Sequence, residues 1–198
     1  MLLLGHTKNI IRKCIKIVKM KFEKTDIEGC YIITPRKYED DRGYFFESFN
    51  QKEFEKQTNT KVKFVQDNVS KSTYGVLRGL HFQNGEHAQA KLVSVSEGKV
   101  LDVAVDLRPN SKTFGKYVQV ILSEENNKQL FIPRGFAHGF VVLSDIAVFR
   151  YKCDNFYNKE AEGGLNYDGL GIDWIIKEED LIINQRDKDF PNLKDLTE

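Results

Sequence analysis

The 198-residue sequence has little cysteine, proline or tryptophan and lacks any long apolar stretch. Its three cysteines, Cys14, Cys30 and Cys153, form neither a CxxC pair nor the even-numbered set of a disulfide framework, which favours a reducing cytoplasm. No run of about 18 apolar residues occurs, so the sequence predicts no membrane span. Thirty basic residues against 29 acidic residues leave a net charge of +1, which argues against a nucleic-acid-binding chain.

Basic residues are concentrated at the N-terminus. Residues 1–24 carry seven Lys or Arg and one acidic residue, and the apolar residues from Ile10 to Val18 fall at helical spacing. This segment could be an amphipathic helix on a membrane surface, an extension outside the fold, or sequence upstream of a true start at Met20. Because one short patch is a weak signal, we predict a basic extension over residues 1–21. Residues 22–198 then form a single domain that ends in a helical segment.

Apolar residues alternate with a period of two through most of the chain after Met20. Such runs recur about every 8–12 residues and are separated by turn sequences rich in Gly, Pro, Asn and Asp. The predicted strands are residues 30–34, 44–49, 62–66, 76–83, 90–95, 100–107, 117–122, 129–132, 140–143 and 147–152. Helical spacing is confined to residues 51–57, 123–127 and 178–183. The pattern favours an antiparallel sandwich or barrel and contains no βαβ alternation.

The segment richest in residues suited to catalysis is GVLRGLHFQ, residues 75–83. On a regular strand, Arg78 and His81 point to opposite faces. Gly79 leaves room beside His81 for another group to come close. His81 is either a general base or an interior histidine bonded to a backbone carbonyl, and the segment alone does not decide between them.

Further candidates lie in the following strands. Lys91 is either a solvated strand end or, beside a histidine inside a barrel, a cation that stabilises an enolate oxygen. Tyr151 and Tyr157 flank a predicted turn. They are either half-buried aromatic residues with solvent-exposed hydroxyls, or one phenol acts as an acid and one ring as a stacking surface. His138 is also followed by a glycine.

Metal binding is a weaker alternative. The metal-binding cupin pattern resembles HxH followed by Glu and a distant His. Here Gln83 occupies the position of the second histidine, and the chain has only four histidines in total. We therefore predict no metal and no cofactor.

Seven segments, taken in order, resemble the dTDP-4-dehydrorhamnose 3,5-epimerase family. They are DDRGYFFESFN, FVQDNVSKS, GVLRGLHFQ, QAKLV, DVAVDLR, FIPRGFAHGFVVLS and FRYKCDNFY, and the resemblance covers about residues 22–190. It implies an all-β, cupin-like double-stranded β-helix (jelly roll) with a few short helices, working as a cytoplasmic homodimer without metal. It also implies inversion of C3 and C5 in a dTDP-linked 4-keto-6-deoxy sugar, with no nucleic-acid partner.

The resemblance implies a role for individual residues. His81 resembles the base that removes the protons next to the C4 ketone, Asp187 the acid that orients it, and Lys91 the cation near the C4 oxygen. Tyr151 resembles the acid that returns a proton from the opposite face, and Tyr157 the aromatic that stacks with the nucleotide. The remaining substrate-contact positions are Arg42, Glu47, Gln66, Asp67, Asn68, Arg78, His138, Glu162 and Arg186.

Three other functions stay open at this point. A C3-only epimerase keeps the same histidine and lysine, so the sequence does not fix the number of inversions. A cupin that binds sugar without catalysis has no need of His81, Lys91 and Tyr151 together. A metal-dependent cupin would contain stoichiometric metal. One departure from the family is Phe156, since the family often has two tyrosines where this chain has Phe156 and Tyr157.

Overall fold

The computed structural model describes residues 20–196. Within this range, the strands are β1 (Met20–Lys24), β2 (Tyr31–Pro35), β3 (Tyr38–Asp40), β4 (Gly43–Phe45), β5 (Gln66–Thr73), β6 (Leu77–Gln83), β7 (Lys91–Glu97), β8 (Lys99–Asp106), β9 (Tyr117–Ser123), β10 (Gln129–Ile132), β11 (Phe136–Val142), β12 (Ile146–Cys153) and β13 (Glu162–Gly164). The α-helices are α1 (Gln51–Thr58) and α2 (Gln185–Lys188). Short 3-10 turns occur at Gly85–His87, Lys159–Ala161, Glu178–Asp180 and Leu193–Leu196.

Two antiparallel sheets build the body of the molecule. One has six strands in the order β1-β2-β10-β7-β12-β5, and the other has five in the order β13-β6-β11-β8-β9. The two sheets pack face to face, because Val93 and Phe149 from the first join Ala104 and Phe140 from the second in one buried cluster. This architecture is a cupin-like jelly roll, so the predicted all-β fold is confirmed.

The outer face of each sheet is also covered. Beneath the six-stranded sheet, Phe54 of α1 packs edge-on against Phe131 of β10, with ring centroids 4.8 Å apart. Beneath the five-stranded sheet, Leu165 and Trp174 of the C-terminal segment pack against Val103 of β8. Because both faces of β8 are covered, the side chains on each face are buried and mostly apolar. This explains the nearly continuous apolar run in its sequence.

Several predicted elements differ from the structure. Predicted strand 44–49 is reduced to β4, and residues 62–65 form no strand. Strand β5 was not predicted because its sequence, QDNVSKST, has almost no apolar residues. It pairs with β12 along its whole length, which supplies the backbone hydrogen bonds that define it.

Of the three predicted helices, only 51–57 is confirmed as an α-helix, and it is α1. Its first turn is capped by Asn50, whose side-chain oxygen accepts from the Glu53 amide at 3.1 Å. Residues 124–126 form a turn that ends at Asn127 with a left-handed φ of 51°. The prediction for 123–127 was therefore wrong, whereas the short helical segment expected near 178–183 is present as a 3-10 helix at Glu178–Asp180.

Strand β1 begins inside the predicted N-terminal extension. Met20 is buried, and it pairs with Pro35 of β2. The fold therefore includes at least the last two residues that were assigned to the extension. The remainder of that prediction, including the apolar residues between Ile10 and Val18, lies outside the described residues. Between residues 20 and 196, no helix has the length and apolar character needed to cross a bilayer.

Candidate active site

A β-bulge sets the direction of the side chains on β6. His81 lies opposite His138 of β11, and Arg78 lies opposite Phe140. Two residues of β6 therefore face the single residue Gly139 between those pairs. A bulge of this type shifts the in-out alternation of one strand by one position.

As a result, Arg78 and His81 point to the same face, toward the space between the two sheets. The prediction that they point to opposite faces was wrong, because it assumed an uninterrupted strand period. Leu80 instead turns outward into the cluster beneath the five-stranded sheet, where it is fully buried. The bulge brings a guanidinium and an imidazole into one cavity.

Gly79 permits a close approach between β6 and β11. Its φ is +139°, and a Cβ atom at this position would lie 2.5 Å from the Cα of Gly139. No side chain fits there, and the left-handed φ also favours glycine. The room that the sequence analysis expected beside His81 is thus occupied by the neighbouring backbone.

His81 is held by a carboxylate from α2. Its Nε2 donates to Asp187 Oδ1 at 2.9 Å, and Asp187 Oδ2 accepts from the Gly79 amide at 3.1 Å. Burial opposes ionisation of Asp187, but hydrogen bonds from His81 and Gly79 and the charges of His81 and Arg186 hold its pKa below the ordinary value. The ionised carboxylate only accepts, so the His81 proton is on Nε2 and Nδ1 is left to act as a base.

Phe190 and Gly164 complete the surroundings of His81, and neither was predicted. The Phe190 ring meets the His81 ring edge-on with centroids 5.6 Å apart. Phe190 also fills the space over Gly164, where a Cβ atom would lie 2.3 Å from its ring. No sequence pattern could have identified this contact, because it joins two segments brought together only by the path of the C-terminal chain.

Lys91 lies at the start of β7 on the inner face, opposite Cys153 of β12. It is 9% exposed, so its interpretation as a solvated strand end was wrong. Burial lowers the pKa of the ammonium, while the nearby Cys153, Asp102 and Glu162 favour its charged form. The site thus contains a desolvated cation close to His81 and His138, both of which point into the same space.

Tyr151 lies on β12 with its ring against Phe149, at a centroid distance of 6.1 Å. Burial raises the pKa of its hydroxyl, whereas the charge of Arg78 lowers it in part. The phenol therefore keeps its proton at neutral pH and can donate it. Its position on the six-stranded sheet places it across the cavity from β6 and His81.

At the cavity rim, Tyr157, Glu162 and Arg186 form a linked group. The Tyr157 hydroxyl donates to Glu162 Oε2 at 3.0 Å, and Arg186 Nη1 donates to both Glu162 oxygens at 3.1 Å. The hydrogen bond to Glu162 raises the pKa of Tyr157. Tyr157 is 52% exposed, which leaves its ring available for stacking.

Strand β5 contributes three of the predicted contact residues. Gln66 and Asn68 share one face, where Gln66 Nε2 donates to Asn68 Oδ1 at 3.2 Å. Asp67 points to the other face and pairs with Lys152 at 3.0 Å, so its side chain lies apart from the cluster. Further along β5, Ser72 Oγ accepts from Arg78 Nε at 3.1 Å and orients the guanidinium.

His138 forms a second histidine–carboxylate pair, with Asp102 of β8. The distance between His138 Nε2 and Asp102 Oδ1 is 2.8 Å, and both residues are buried. Burial lowers the pKa of His138 despite the attraction of Asp102. The sequence analysis did not identify Asp102. The available signal was an acidic residue at an inner position of an apolar strand.

Arg42 and Glu47 lie outside this cluster. Arg42 is on the tight turn between β3 and β4, with 89% of its side chain exposed, and it binds Asp40 at 2.6 Å. Glu47 follows the same hairpin and accepts a hydrogen bond from Asn50 at 3.2 Å. Neither side chain contacts the other predicted site residues within the described part of the chain.

The comparison with known proteins agrees with this geometry. The family model described as dTDP-4-dehydrorhamnose 3,5-epimerase matches residues 24–195. The dTDP-4-dehydrorhamnose 3,5-epimerase of Escherichia coli (strain K12) is 52% identical over 179 residues, covering 89% of this chain and 96% of that protein.

Solved structures give the same result. The crystal structure of dTDP-4-dehydrorhamnose 3,5-epimerase from Elizabethkingia anophelis NUHP1 is 60% identical, has a TM-score of 0.87, and covers 89% of this chain and 98% of its own. The Legionella pneumophila dTDP-6-deoxy-D-glucose-3,5-epimerase in complex with dTDP-4-keto-L-rhamnose is 47% identical, with a TM-score of 0.85 and coverage of 88% and 93%. The resemblance noted in the sequence is therefore confirmed: the chain belongs to the dTDP-4-dehydrorhamnose 3,5-epimerase family.

Proposed function

We propose that this protein is an isomerase that inverts C3 and C5 of dTDP-4-dehydro-6-deoxy-D-glucose to give dTDP-4-dehydro-L-rhamnose. The observation that supports the proposal is a cluster between the sheets. His81, paired with Asp187, lies opposite His138, which interacts electrostatically with both His81 and Lys91, and Tyr151 of the facing sheet interacts with Arg78. A metal ion is not required by this chemistry. Among residues 20–196, no group of three or more His, Cys, Asp or Glu side chains could hold one.

His81 acts as the base. The C4 ketone acidifies the hydrogens on C3 and C5, so the difficult step is enolate formation and no redox cofactor is needed. A histidine has an unperturbed pKa of about 6.5, which suits proton removal near neutral pH. Asp187 fixes the tautomer that leaves Nδ1 free and stabilises the imidazolium once the proton has moved.

Lys91 stabilises the intermediate. When a proton leaves C3 or C5, negative charge develops on the C4 oxygen. A desolvated ammonium in a low-dielectric cavity stabilises this charge more strongly than it would in water.

Tyr151 supplies the second proton. Inversion requires removal of a proton on one face of the sugar ring and delivery on the other. Tyr151 lies on the sheet opposite His81 and keeps its proton at neutral pH, so it meets both requirements. The same pair of groups serves both carbons if the ring can present each in turn.

The remaining predicted residues bind substrate. Arg42 and Arg78 suit the diphosphate, because a guanidinium fork matches phosphate oxygens. The exposed ring of Tyr157 suits stacking with the nucleotide base. The other contact positions carried over from the family are Glu47, Gln66, Asp67, Asn68, His138, Glu162 and Arg186.

We further propose that the protein works in the cytoplasm as a homodimer. The exposed hairpin carrying Arg42 cannot bind substrate in its own cavity from its present position, whereas a hairpin from a second copy could. Beside the hairpin, the outer face of the six-stranded sheet has a groove of about 410 Å³, with Tyr44, Phe46 and Val69 among its lining residues. A groove of this kind, lined by both polar and aromatic side chains, would be covered in such a dimer.

Incubation of dTDP-4-keto-6-deoxyglucose with the protein in D₂O, followed by NMR, tests the function. We expect deuterium at both C3 and C5 and the L-rhamno product. Deuterium and inversion at C3 alone would instead establish the C3-only epimerase. Binding without exchange at either carbon would establish a non-catalytic sugar-binding cupin and overturn the proposal.

A further inference from the structure

Two buried residues of opposite charge, Asp102 and Lys91, face the space between the sheets with hydrogen-bonding capacity that the surrounding protein does not fill. Asp102 is fully buried and binds His138 through Oδ1, whereas its Oδ2 makes no hydrogen bond within residues 20–196. Lys91 comes from the opposite sheet and is also buried; no hydrogen bond or ion pair joins its ammonium to another residue of the same range, although the nitrogen is not fully enclosed. An unpaired charge in a protein interior carries a large desolvation cost, so these two groups of opposite sign need an explanation.

The other carboxylates around Lys91 are already engaged. Asp187 uses its two oxygens for His81 and Gly79, and Glu162 binds Arg186 and Tyr157. Asp102 is therefore the acidic group of the cavity with an oxygen that no protein donor occupies. The titratable groups that interact electrostatically with Lys91 are Cys153 (β12), Asp102 (β8), Glu162 (β13) and His138 (β11).

We propose that Asp102 is a positioning residue of the active site: one oxygen orients His138, and the other provides the counter-charge that keeps Lys91 protonated for catalysis. This inference rests on the proposed function, because it assigns Lys91 a charged role there. Lys91 and Asp102 interact electrostatically across the space between the sheets, in agreement with it.

A consequence concerns His138. An ionised Asp102 only accepts, so the proton of the neutral His138 is on Nε2. Nδ1 then offers a lone pair, and His138 binds substrate by accepting a hydrogen bond from a sugar hydroxyl. This role differs from that of His81, which accepts a proton outright.

The pH dependence of kcat/KM for Asp102→Asn tests the proposal. Removal of the negative charge disfavours the ammonium, so the pKa of Lys91 falls and the basic limb of the profile moves to lower pH by about one unit. The acidic limb stays in place, because His81 pairs with Asp187 and not with Asp102. A variant that loses activity with both limbs unmoved would show that Asp102 has only a structural role, and would overturn the proposal.

Two further variants sharpen the experiment. Asp102→Glu keeps the charge and should return the basic limb to the wild-type pH even if the rate stays low. Asp106→Asn is the matched control, because Asp106 is an equally buried carboxylate on β8 that pairs with Arg108. It should lower stability and leave both limbs unmoved.

A measurement without substrate separates this inference from the proposed function. In ligand-free protein with ¹³C-labelled lysine, the Lys91 titration should move to lower pH in Asp102→Asn, whether or not the protein is an epimerase. If Asp102→Asn does not fold, Asp102→Ser removes the same charge and carries the same test of the Lys91 titration. An unchanged titration would overturn the inference, whereas absence of turnover by the wild type would overturn the function alone.

Discussion

The site contains two histidine–carboxylate pairs, and their different exposure separates their roles. The His81 side chain is 26% exposed, while that of His138 is 7% exposed. Asp187 and Asp102 are both buried at distances of 2.9 and 2.8 Å from their histidines. A base must reach the substrate and remain able to take up a proton, which favours His81. Burial holds His138 in its neutral form, which suits hydrogen bonding to a hydroxyl.

Replacement of Tyr151 by Phe separates proton removal from proton return. We predict that Tyr151→Phe reduces formation of the fully inverted product by a factor of about 10²–10⁴, the usual contribution of a general acid. Exchange of the C3 proton with solvent should be reduced much less, because His81 and Lys91 are intact. NMR in D₂O measures both rates in one sample. Equal loss of exchange and product would argue against Tyr151 as the proton donor, and Tyr157→Phe provides a comparison at the rim.

Asp106 links stability to pH. Burial disfavours its ionised form, but hydrogen bonds from Arg108, Ser111 and Thr113 outweigh burial and hold its pKa far below the ordinary value. A carboxyl with a depressed pKa stabilises the fold fully above its unfolded pKa of about 3.9, and this contribution declines below that pH until it is lost as pH falls through the lower folded pKa.

We therefore predict that Asp106→Asn lowers the free energy of unfolding by roughly 2–5 kcal/mol at pH 7 and by a smaller amount at pH 3, where the carboxyl of the unfolded chain is already largely protonated. Urea denaturation at the two pH values measures the difference. Asp40→Asn removes an exposed carboxylate paired with Arg42 and should change stability little at either pH. A pH-independent loss in Asp106→Asn would contradict the linkage.

At the scale of elements, the bulge between β6 and β11 determines the site. It turns Arg78 and His81 into the same cavity and presents the Gly79 amide to Asp187. The α2 segment is short, but Asn184 caps it by accepting from the Asp187 amide at 2.9 Å. Bulge and cap together fix the base and its carboxylate from two distant parts of the sequence.

Gly79→Ala tests the importance of this close approach. The new Cβ atom would lie 2.5 Å from Gly139 Cα, so we predict a loss of several kcal/mol in stability, as for other overpacked or strained sites, together with loss of activity. Thermal unfolding measures the first effect. Gly43→Ala is the control, because Gly43 has a similar φ of +118° but nothing within 4 Å of the added atom. If the two variants are equally stable, the contact between the strands is not what requires Gly79.

Some of these elements could be predicted from local sequence patterns, and others could not. Alternation identified β8, and the spacing after Asn50 identified α1, because their patterns are local. The bulge was missed because alternation assumes a regular strand, and β5 was missed because its pairing with β12 is decided by the partner strand and not by its own residues. The catalytic set came from the resemblance to a family. Asp102 and Phe190 required the tertiary contacts.

On the scale of the whole molecule, the cavity is assembled from both sheets and closed by the C-terminal segment. His81 and Arg78 come from the five-stranded sheet, Lys91 and Tyr151 from the six-stranded sheet, and Asp187 from α2. The hairpin with Arg42 is the part of the predicted site that does not join this assembly. If this hairpin acts in the cavity of a second copy, it does so only in the assembled dimer, which mixing experiments test.

Mixing two inactive variants tests the proposed dimer. Arg42→Ala and His81→Asn are each expected to be inactive alone. If Arg42 acts in the cavity of the other copy, refolding them together in equal amounts should restore about a quarter of wild-type activity, since half of the dimers are mixed and each has one complete site. Mixtures without activity would place Arg42 in its own cavity or outside the site. Full activity of Arg42→Ala alone would remove it from the substrate contacts.

The central claim is that His81 removes a proton from the sugar ring, and exchange by His81→Asn measures this most directly. Dissolved in D₂O with dTDP-4-keto-6-deoxyglucose, this variant should still bind the nucleotide sugar. It should incorporate deuterium at C3 and C5 at least about 10²-fold more slowly than the wild type. Exchange at the wild-type rate at either carbon would contradict the assignment of His81 as the base.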